Sequence, residues 1–138
     1  MSVTASSDRE ASRRAAMAYV DALNAHDPDA VAAAVTEDFV NQHASSRGTS
    51  LVGRAAYRQR LPSFLAEFDP LHYEPECVIA DGADVAIPYQ MTATWHGGSA
   101  DHDVALRGIF HIRTRDGLVS GRTDYWDSAD FLRQTGQQ

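Results

Sequence analysis

The sequence has no apolar run approaching the roughly 20 residues that a membrane-spanning helix needs. It has a single cysteine, Cys77, which excludes an internal disulfide, fits a reducing compartment and is expected to be a small buried apolar side chain. Residues 1–7 are small and polar and lack the basic start and apolar centre of a signal peptide. We therefore expect a cytoplasmic protein that does not enter a membrane.

Positive charge is also scarce. Lys and Arg together number 12 against 19 Asp and Glu, which gives a net charge of -7. Because nucleic-acid phosphates are bound by clustered Lys and Arg, no nucleic-acid partner is expected. A phosphate-binding loop is missing as well, since Gly97-Gly98 is followed by Ser99-Ala100-Asp101 and not by Lys and Ser or Thr.

The densest group of possible metal ligands is His96, Asp101, His102 and Asp103. Its spacing matches no helical two-histidine motif, and the intervening Gly97-Gly98-Ser99-Ala100 is typical of a hairpin connection. We predict neither a metal nor another cofactor.

What the sequence does have is the composition of one globular domain. The 138 residues are 43% hydrophobic and 22% charged, which allows one core and excludes a second independent one. We expect a single domain over residues 1–138, with residues 1–7 as a disordered tail.

Helical periodicity dominates the first half of the chain. Ser7-Asp8-Arg9-Glu10 has the form of a capping box, and Asp27-Pro28 is typical of an N-cap followed by the first helical residue. Pro62 should kink or restart the third helix. The predicted helices run from about Asp8 to His26, from Pro28 to Val35, and from near Gly53 to Phe68.

Beyond Asp69-Pro70 the spacing between apolar residues changes from about four positions to two. In the longest alternating run, Pro88 suggests a bulge or an unpaired donor position. The predicted strands are 39–43, Tyr73 to Ala80, 85–96, 104–113 and 118–127, with Ala44 to Ser50 as a loop. Helices followed by consecutive antiparallel strands predict an α+β fold, with a curved sheet over a helical layer.

One strand face near the C-terminus is chemically unusual. Alternation places Arg122, Asp124 and Trp126 on the same side of the last strand. Burial of a carboxylate is costly unless it is paired, so this face is either a solvated edge or a site.

The order of elements, with the segments Ala18-Tyr19-Val20-Asp21-Ala22-Leu23-Asn24-Ala25-His26-Asp27 and Asp124-Tyr125-Trp126-Asp127, resembles the nuclear transport factor 2 superfamily. Within it the chain is most similar to SnoaL-like polyketide cyclases, ketosteroid isomerases and limonene epoxide hydrolases. The resemblance implies a cone-shaped, mainly antiparallel sheet wrapped around N-terminal helices, enclosing a largely apolar pocket for a small molecule. It also implies a homodimer formed through the outer sheet face.

The resemblance implies catalytic roles for four residues. Asp124 falls where SnoaL-like cyclases carry their general acid/base. Tyr19 falls where ketosteroid isomerases keep a tyrosine that donates to a developing oxyanion. His43 falls at their general base, and Asn41 shares with it the face where epoxide hydrolases hold the water. Burial would raise the pKa of Asp124 while Arg122 would lower it, so its protonation state stays open.

Two departures narrow the implied chemistry. Gly108 or Ile109, depending on register, falls where the isomerases hold a protonated Asp, and neither side chain can donate a hydrogen bond. The strand segment Ile87-Pro88-Tyr89-Gln90-Met91 lacks the Arg and Asp pair of the epoxide hydrolases. We therefore favour a cofactor-independent SnoaL-like enzyme for aldol-type cyclisation or isomerisation of an apolar or polyketide-like substrate. The alternatives are epoxide opening and a non-catalytic, small-molecule-binding module.

Further residues are predicted to contact the substrate. They are Arg122, Trp126, Phe64, Phe68, Met91 and Phe110. Simpler interpretations stand beside these roles: Tyr19 is a core tyrosine, His43 an exposed residue at a loop edge, and Arg122 a surface partner of Asp124.

Overall fold

The computed structural model describes residues 3–44 and 50–137. Its helices are α1 (Val3–Asn24), α2 (Pro28–Ala33), α3 (Arg54–Glu67) and α4 (Ser128–Gln134). Its strands are β1 (Val35–His43), β2 (Leu51–Val52), β3 (Phe68–Pro75), β4 (Ile79–Asp81), β5 (Asp84–Trp95), β6 (His102–Arg115) and β7 (Leu118–Trp126). Within this part of the chain, no helix is both long and apolar enough to cross a membrane.

The seven strands form one curved sheet that does not close into a barrel. Their order is β2-β1-β7-β6-β5-β3, and β4 pairs with β5 beyond the end of β3. Only β1 and β7 run parallel; the other pairs among the described strands are antiparallel. The predicted α+β class with a mainly antiparallel sheet is therefore confirmed.

The parallel pairing of β1 with β7 positions the site. It makes Asn41 the Cα partner of Arg122 and His43 the Cα partner of Asp124. Residues 81 positions apart in sequence thus become neighbours on one sheet face. Since sequential strands usually pair with one another, this long-range pairing is not evident from local patterns.

The first helix differs from its prediction at the N-terminal end. It begins at Val3, so the predicted capping box at 7–10 is wrong, because these residues lie inside the helix. Residues 3–7, predicted as a disordered tail, belong to the same helix, and Met1 and Ser2 lie outside the described residues.

The second helix confirms its predicted start. The Asp27 side chain accepts hydrogen bonds from the backbone N–H groups of Asp29 and Ala30 at 3.0 and 3.2 Å, and Pro28 is the first helical residue. The helix ends before Val35 because that residue already pairs with Val119 of β7. Most of the predicted loop from Ala44 to Ser50 lies outside the described residues.

The third helix passes through Pro62 without restarting. Pro62 lies on the exposed side of the helix, whereas Leu61 and Leu65 are buried. Packing of this apolar side maintains the helix despite the hydrogen bond that proline cannot donate.

The strand predicted from Tyr73 to Ala80 is two strands, β3 and β4, and Cys77 between them is exposed rather than buried. Alternation along β5 is confirmed, with every second residue from Val85 to Trp95 buried. Pro88 causes no bulge in the β5–β6 pairing. Its carbonyl oxygen accepts a hydrogen bond of 2.8 Å from the backbone N–H of Glu76, which lies between β3 and β4. The N–H that proline lacks would point to this same side, so its absence removes no hydrogen bond between β5 and β6.

The C-terminal helix α4 was not predicted. Asp127 caps it by accepting from the backbone N–H groups of Ala129 and Asp130, a signal that the sequence does contain. Phe131 of this helix packs edge-on against Trp95 and Trp126, with ring centroids 5.3 and 6.1 Å apart. The helix therefore covers one end of the concave sheet face.

Candidate active site

A cavity of about 180 Å³ opens between the concave sheet face, α3 and α4. Its wall combines aromatic and aliphatic side chains with a few polar groups, as is typical of small-molecule sites. The lining residues are Asn41, His43, Tyr57, Arg60, Leu61, Phe64, Glu67, Phe68, Tyr73, Tyr89, Met91, Leu106, Arg122, Asp124, Trp126 and Phe131.

Two of the predicted site residues, Tyr19 and Phe110, are absent from this wall. Tyr19 is fully buried, and its hydroxyl is 2.6 Å from the hydroxyl of Tyr57, with which it shares a hydrogen bond. Phe110 is also fully buried, with its ring centroid 4.5 Å from that of Tyr89 and the two rings tilted by 37°. Both lie one layer behind the cavity, so direct substrate contact by either is not supported.

Asp124 lies in the cavity wall and is 6% exposed. Its Oδ1 accepts a hydrogen bond of 2.6 Å from the Tyr89 hydroxyl, and its Oδ2 is 3.9 Å from Nδ1 of His43. Burial raises the pKa of this carboxyl above its ordinary value, although Arg122 and the Tyr89 hydrogen bond act in the opposite direction. The sequence left open whether burial or Arg122 has the larger effect on the pKa of Asp124, and the effect of burial is the larger.

His43 is held by its neighbour on β7. Nε1 of Trp126 donates to Nδ1 of His43 at 3.2 Å, so Nε2 carries the hydrogen in the neutral ring. Burial, Arg122 and Arg60 lower the pKa of His43 to about 4. The side chain is 19% exposed and faces the cavity, which contradicts the interpretation as an exposed loop-edge residue.

Arg122 is a buried cation, 6% exposed. Its Nη2 donates to Oδ1 of Asn41 at 2.5 Å, while its Nε has no hydrogen-bond partner among the described residues. The guanidinium carbon lies 5.1 Å from the ring centroid of Phe110 and 5.9 Å from that of Tyr19, within cation–π range. No described carboxylate lies within 4.0 Å of its nitrogens, so a surface pair with Asp124 is wrong.

Tyr89 is the most informative residue that sequence reasoning missed. It is paired across the sheet with Gly108, which faces the cavity side, whereas Ile109 is 44% exposed on the outer face. A Cβ at position 108 would lie 2.4 Å from the Tyr89 hydroxyl. The missing side chain of Gly108 thus leaves the space in which Tyr89 reaches Asp124.

A metal-binding role for the 96–103 segment finds no support. Nδ1 of His96 is 2.8 Å from Oδ1 of Asp101, and its Nε2 is 2.7 Å from the carbonyl oxygen of Asp69. Across residues 3–44 and 50–137, no three His, Cys, Asp or Glu side chains are grouped to hold a metal ion.

Comparison with known families agrees with this geometry. The model of the SnoaL-like domain matches residues 16–121. The chain belongs to the SnoaL-like family. A comparison with curated proteins found no match.

Solved structures share the fold of this SnoaL-like chain. A proposed polyketide cyclase from Xanthomonas campestris pv. campestris is 23% identical, with a TM-score of 0.82 over 92% of this chain and 98% of that one. An epoxide hydrolase from M. tuberculosis is 21% identical, with a TM-score of 0.73 and coverages of 91% and 90%. A proposed ketosteroid isomerase from Kribbella flavida is 28% identical, with a TM-score of 0.68 and coverages of 87% and 80%. The predicted ketosteroid isomerase-like fold is confirmed, while function rests on the site itself.

Proposed function

We propose that this SnoaL-like protein is a cofactor-independent enzyme that transfers protons on a small apolar or polyketide-like molecule, in an aldol-type ring closure or an isomerisation. The observation that carries the proposal is the buried carboxyl of Asp124, held by Tyr89 at 2.6 Å in the wall of an apolar cavity. A carboxyl whose pKa is raised by burial is a stronger base than an exposed carboxylate and can take up and return a proton.

In the proposed reaction Asp124 is the acid/base. It removes a proton from the carbon next to a substrate carbonyl, and the C–H electron pair moves to form an enolate. The enolate either attacks a second carbonyl and closes a ring, whose alkoxide oxygen takes the proton back from Asp124, or it regains that proton at another carbon. Nε2–H of His43 and the Arg122 guanidinium are the donors available to the enolate oxygen.

The other two residues predicted as catalytic take supporting roles. Asn41 accepts from Arg122 and thereby orients the guanidinium. Tyr19 is bonded to Tyr57 and acts behind the wall, where its ring faces the same guanidinium. The sequence contains no lysine, so aldol chemistry through a Schiff base is not open to these residues and the enolate route is favoured.

Epoxide opening by paired carboxylates has weaker support. The second acid of the described cavity wall, Glu67, accepts a hydrogen bond of 3.0 Å from Nε1 of Trp95. The hydrogen-bond partner of Asp124 is instead a tyrosine.

The proposed reaction is testable with 2-tetralone, a small bicyclic ketone whose acidic C–H exchanges in D₂O. The wild type should accelerate deuterium incorporation above buffer, and Asp124→Asn should lower this rate by about 10²-fold or more, because the amide cannot accept the proton. Asp101→Asn is the matched control, since that carboxylate lies 2.8 Å from His96 outside the cavity. Exchange is followed by mass spectrometry, and thermal unfolding checks that both variants fold.

Equal exchange by the wild type and Asp124→Asn would remove the acid/base assignment. Ligand binding without any exchange above buffer would instead indicate the non-catalytic module.

A further inference from the structure

The positive charge of Arg122 lacks a direct counter-ion. The guanidinium is 6% exposed, permanently protonated and more than 4.0 Å from every described carboxylate oxygen. Its neighbours are the Asn41 amide oxygen and two aromatic rings, and its Nε is unpaired among the described residues. A buried charge in this state is costly, and a ligand that brings the opposite charge offsets that cost.

A second donor faces the same place. Nη2 of Arg122 and Nε2 of His43 lie 3.5 Å apart, and both residues line the cavity. Trp126 and Arg122 can only donate, and a neutral imidazole accepts at one of its two nitrogens. The contact from Trp126 is the shorter, 3.2 Å against 3.5 Å, so Nδ1 accepts and Nε2–H is a second donor beside the guanidinium. Two adjacent donors of this kind match one oxygen atom that carries negative charge.

We propose that this cavity takes its substrate as an anion, with the ionised oxygen of an acidic enol bound by Arg122 and Nε2–H of His43, and an apolar ring filling the rest of the space. This oxygen is the one that carries the charge of the enolate in the proposed reaction. The inference rests on the proposed function, because it names the charge class of the molecule on which the same site acts. The ring is accommodated by Phe64, Phe68, Met91 and Leu106.

The other charges of the wall are compatible with an anion. Arg60 and Glu67 are the remaining charged side chains among the described lining residues, and their charges have opposite signs. Asp124 opposes an anion only when ionised, and burial favours its neutral form. A protonated Asp124 beside a bound enolate is the state that proton removal produces in the proposed reaction, so two negative charges do not face each other.

The test uses benzoate and its neutral counterpart benzamide, which have the same shape and differ in charge. Both are titrated into the full chain at neutral pH and followed by NMR. Benzoate should bind about tenfold or more tightly than benzamide, the range expected for a charged hydrogen bond. Equal binding of the two, or binding of neither, overturns the inference.

Four variants locate the charge. Arg122→Gln should remove the preference for benzoate, and Arg122→Lys should retain part of it if the glutamine variant does not fold. Arg107→Gln is the control and should preserve it, because Arg107 pairs with Glu76 outside the cavity. Asp124→Asn should bind benzoate at least as tightly as the wild type, since the amide stays neutral as the protonated carboxyl is. Weaker benzoate binding by Asp124→Asn, or an equal loss in Arg107→Gln, overturns the assignment to Arg122.

The two proposals fail separately. Loss of the benzoate preference with intact 2-tetralone exchange removes only the anionic substrate. Absence of exchange with an intact preference removes only the reaction.

Discussion

At the scale of single residues, burial determines what the polar side chains of the cavity can do. The carboxyl of Asp124 and the imidazole of His43 are shifted by desolvation in opposite pKa directions, and both shifts favour the neutral form. The guanidinium of Arg122 is therefore a fixed charge beside two groups that are readily neutral. This arrangement suits proton transfer next to a developing oxyanion.

The first prediction concerns His43. The pKa of its ring should be about 4, because burial and two arginines oppose protonation. The ring should therefore stay neutral until the pH falls to about that value. NMR titration of the ring carbon-bound hydrogens measures this directly. The urea-unfolded chain is the reference, in which His titrates at about 6.5. A midpoint near that reference value in the folded protein would contradict the burial argument.

The second prediction concerns Tyr89. Tyr89→Phe removes the 2.6 Å hydrogen bond that lowers the pKa of Asp124, so that pKa should rise further. If Asp124 acts as the base, the pH at which 2-tetralone exchange reaches half its maximum moves upward with it. Stability should fall by about 1 kcal/mol, the usual net value of one hydrogen bond, as measured by urea unfolding.

Tyr125→Phe is the matched control for this experiment, because Tyr125 is 49% exposed on the outer face of the same sheet. An unchanged pH profile in Tyr89→Phe would show that the hydroxyl does not control the carboxyl.

At the scale of elements, strand pairing assembles the site. β1 brings Asn41 and His43 beside Arg122 and Asp124 of β7, while β6 and β5 bring Gly108 opposite Tyr89. Alternation correctly places Arg122, Asp124 and Trp126 together on the cavity side. It does not indicate that β1 pairs with β7, because that contact depends on the whole path of the sheet.

The third prediction tests this assembly at Gly108. In Gly108→Ala the new Cβ would lie 2.4 Å from the Tyr89 hydroxyl and 2.6 Å from the carbonyl oxygen of Tyr125. Overpacking of this kind typically costs about 1–3 kcal/mol, and it should displace Tyr89 from Asp124. Urea unfolding and the 2-tetralone exchange rate should therefore both change.

Gly121→Ala provides the comparison on β7. Its Cβ would meet only the Val40 carbonyl oxygen, at an ordinary 3.8 Å. Similar losses in both variants would show that the tight contact at position 108 has no special effect.

At the scale of the whole molecule, the outer sheet face carries an apolar pair. Ile109 and Tyr125 are Cα partners on β6 and β7 and are 44% and 49% exposed. Neighbouring exposed apolar side chains are typical of interaction surfaces. The homodimer implied by the family resemblance stays a prediction, and this pair is the surface that we expect it to use.

The fourth prediction follows for the assembly. The wild type should sediment as a dimer, and Tyr125→Arg should shift it towards monomer, because the interface would bury an unpaired charge. Val52→Arg is the control, since Val52 is 72% exposed on the edge strand β2, away from this pair. A monomeric wild type, or an equal effect of both variants, would exclude this surface.

Sequence patterns predicted the elements whose signals are local. The N-cap at Asp27 and the alternation of β5 are examples, because each depends on neighbours along the chain. The predicted capping box near Ser7 and restart at Pro62 were wrong for the converse reason. A local signal was present in both places, but α1 already begins at Val3, and at Pro62 the packing of Leu61 and Leu65 outweighed it.

The same division applies to the site. The sequence alone determined which side of β7 carries Arg122 and Asp124, and it showed that lysine is missing. It also provided the family resemblance from which the cavity was predicted. The tertiary structure was needed to place Tyr19 and Phe110 behind the wall, to pair Tyr89 with Asp124 and to leave Arg122 without a direct counter-ion. The physical reason is that the burial of a side chain and the charges around it depend on residues from several distant elements. No single stretch of sequence contains that information.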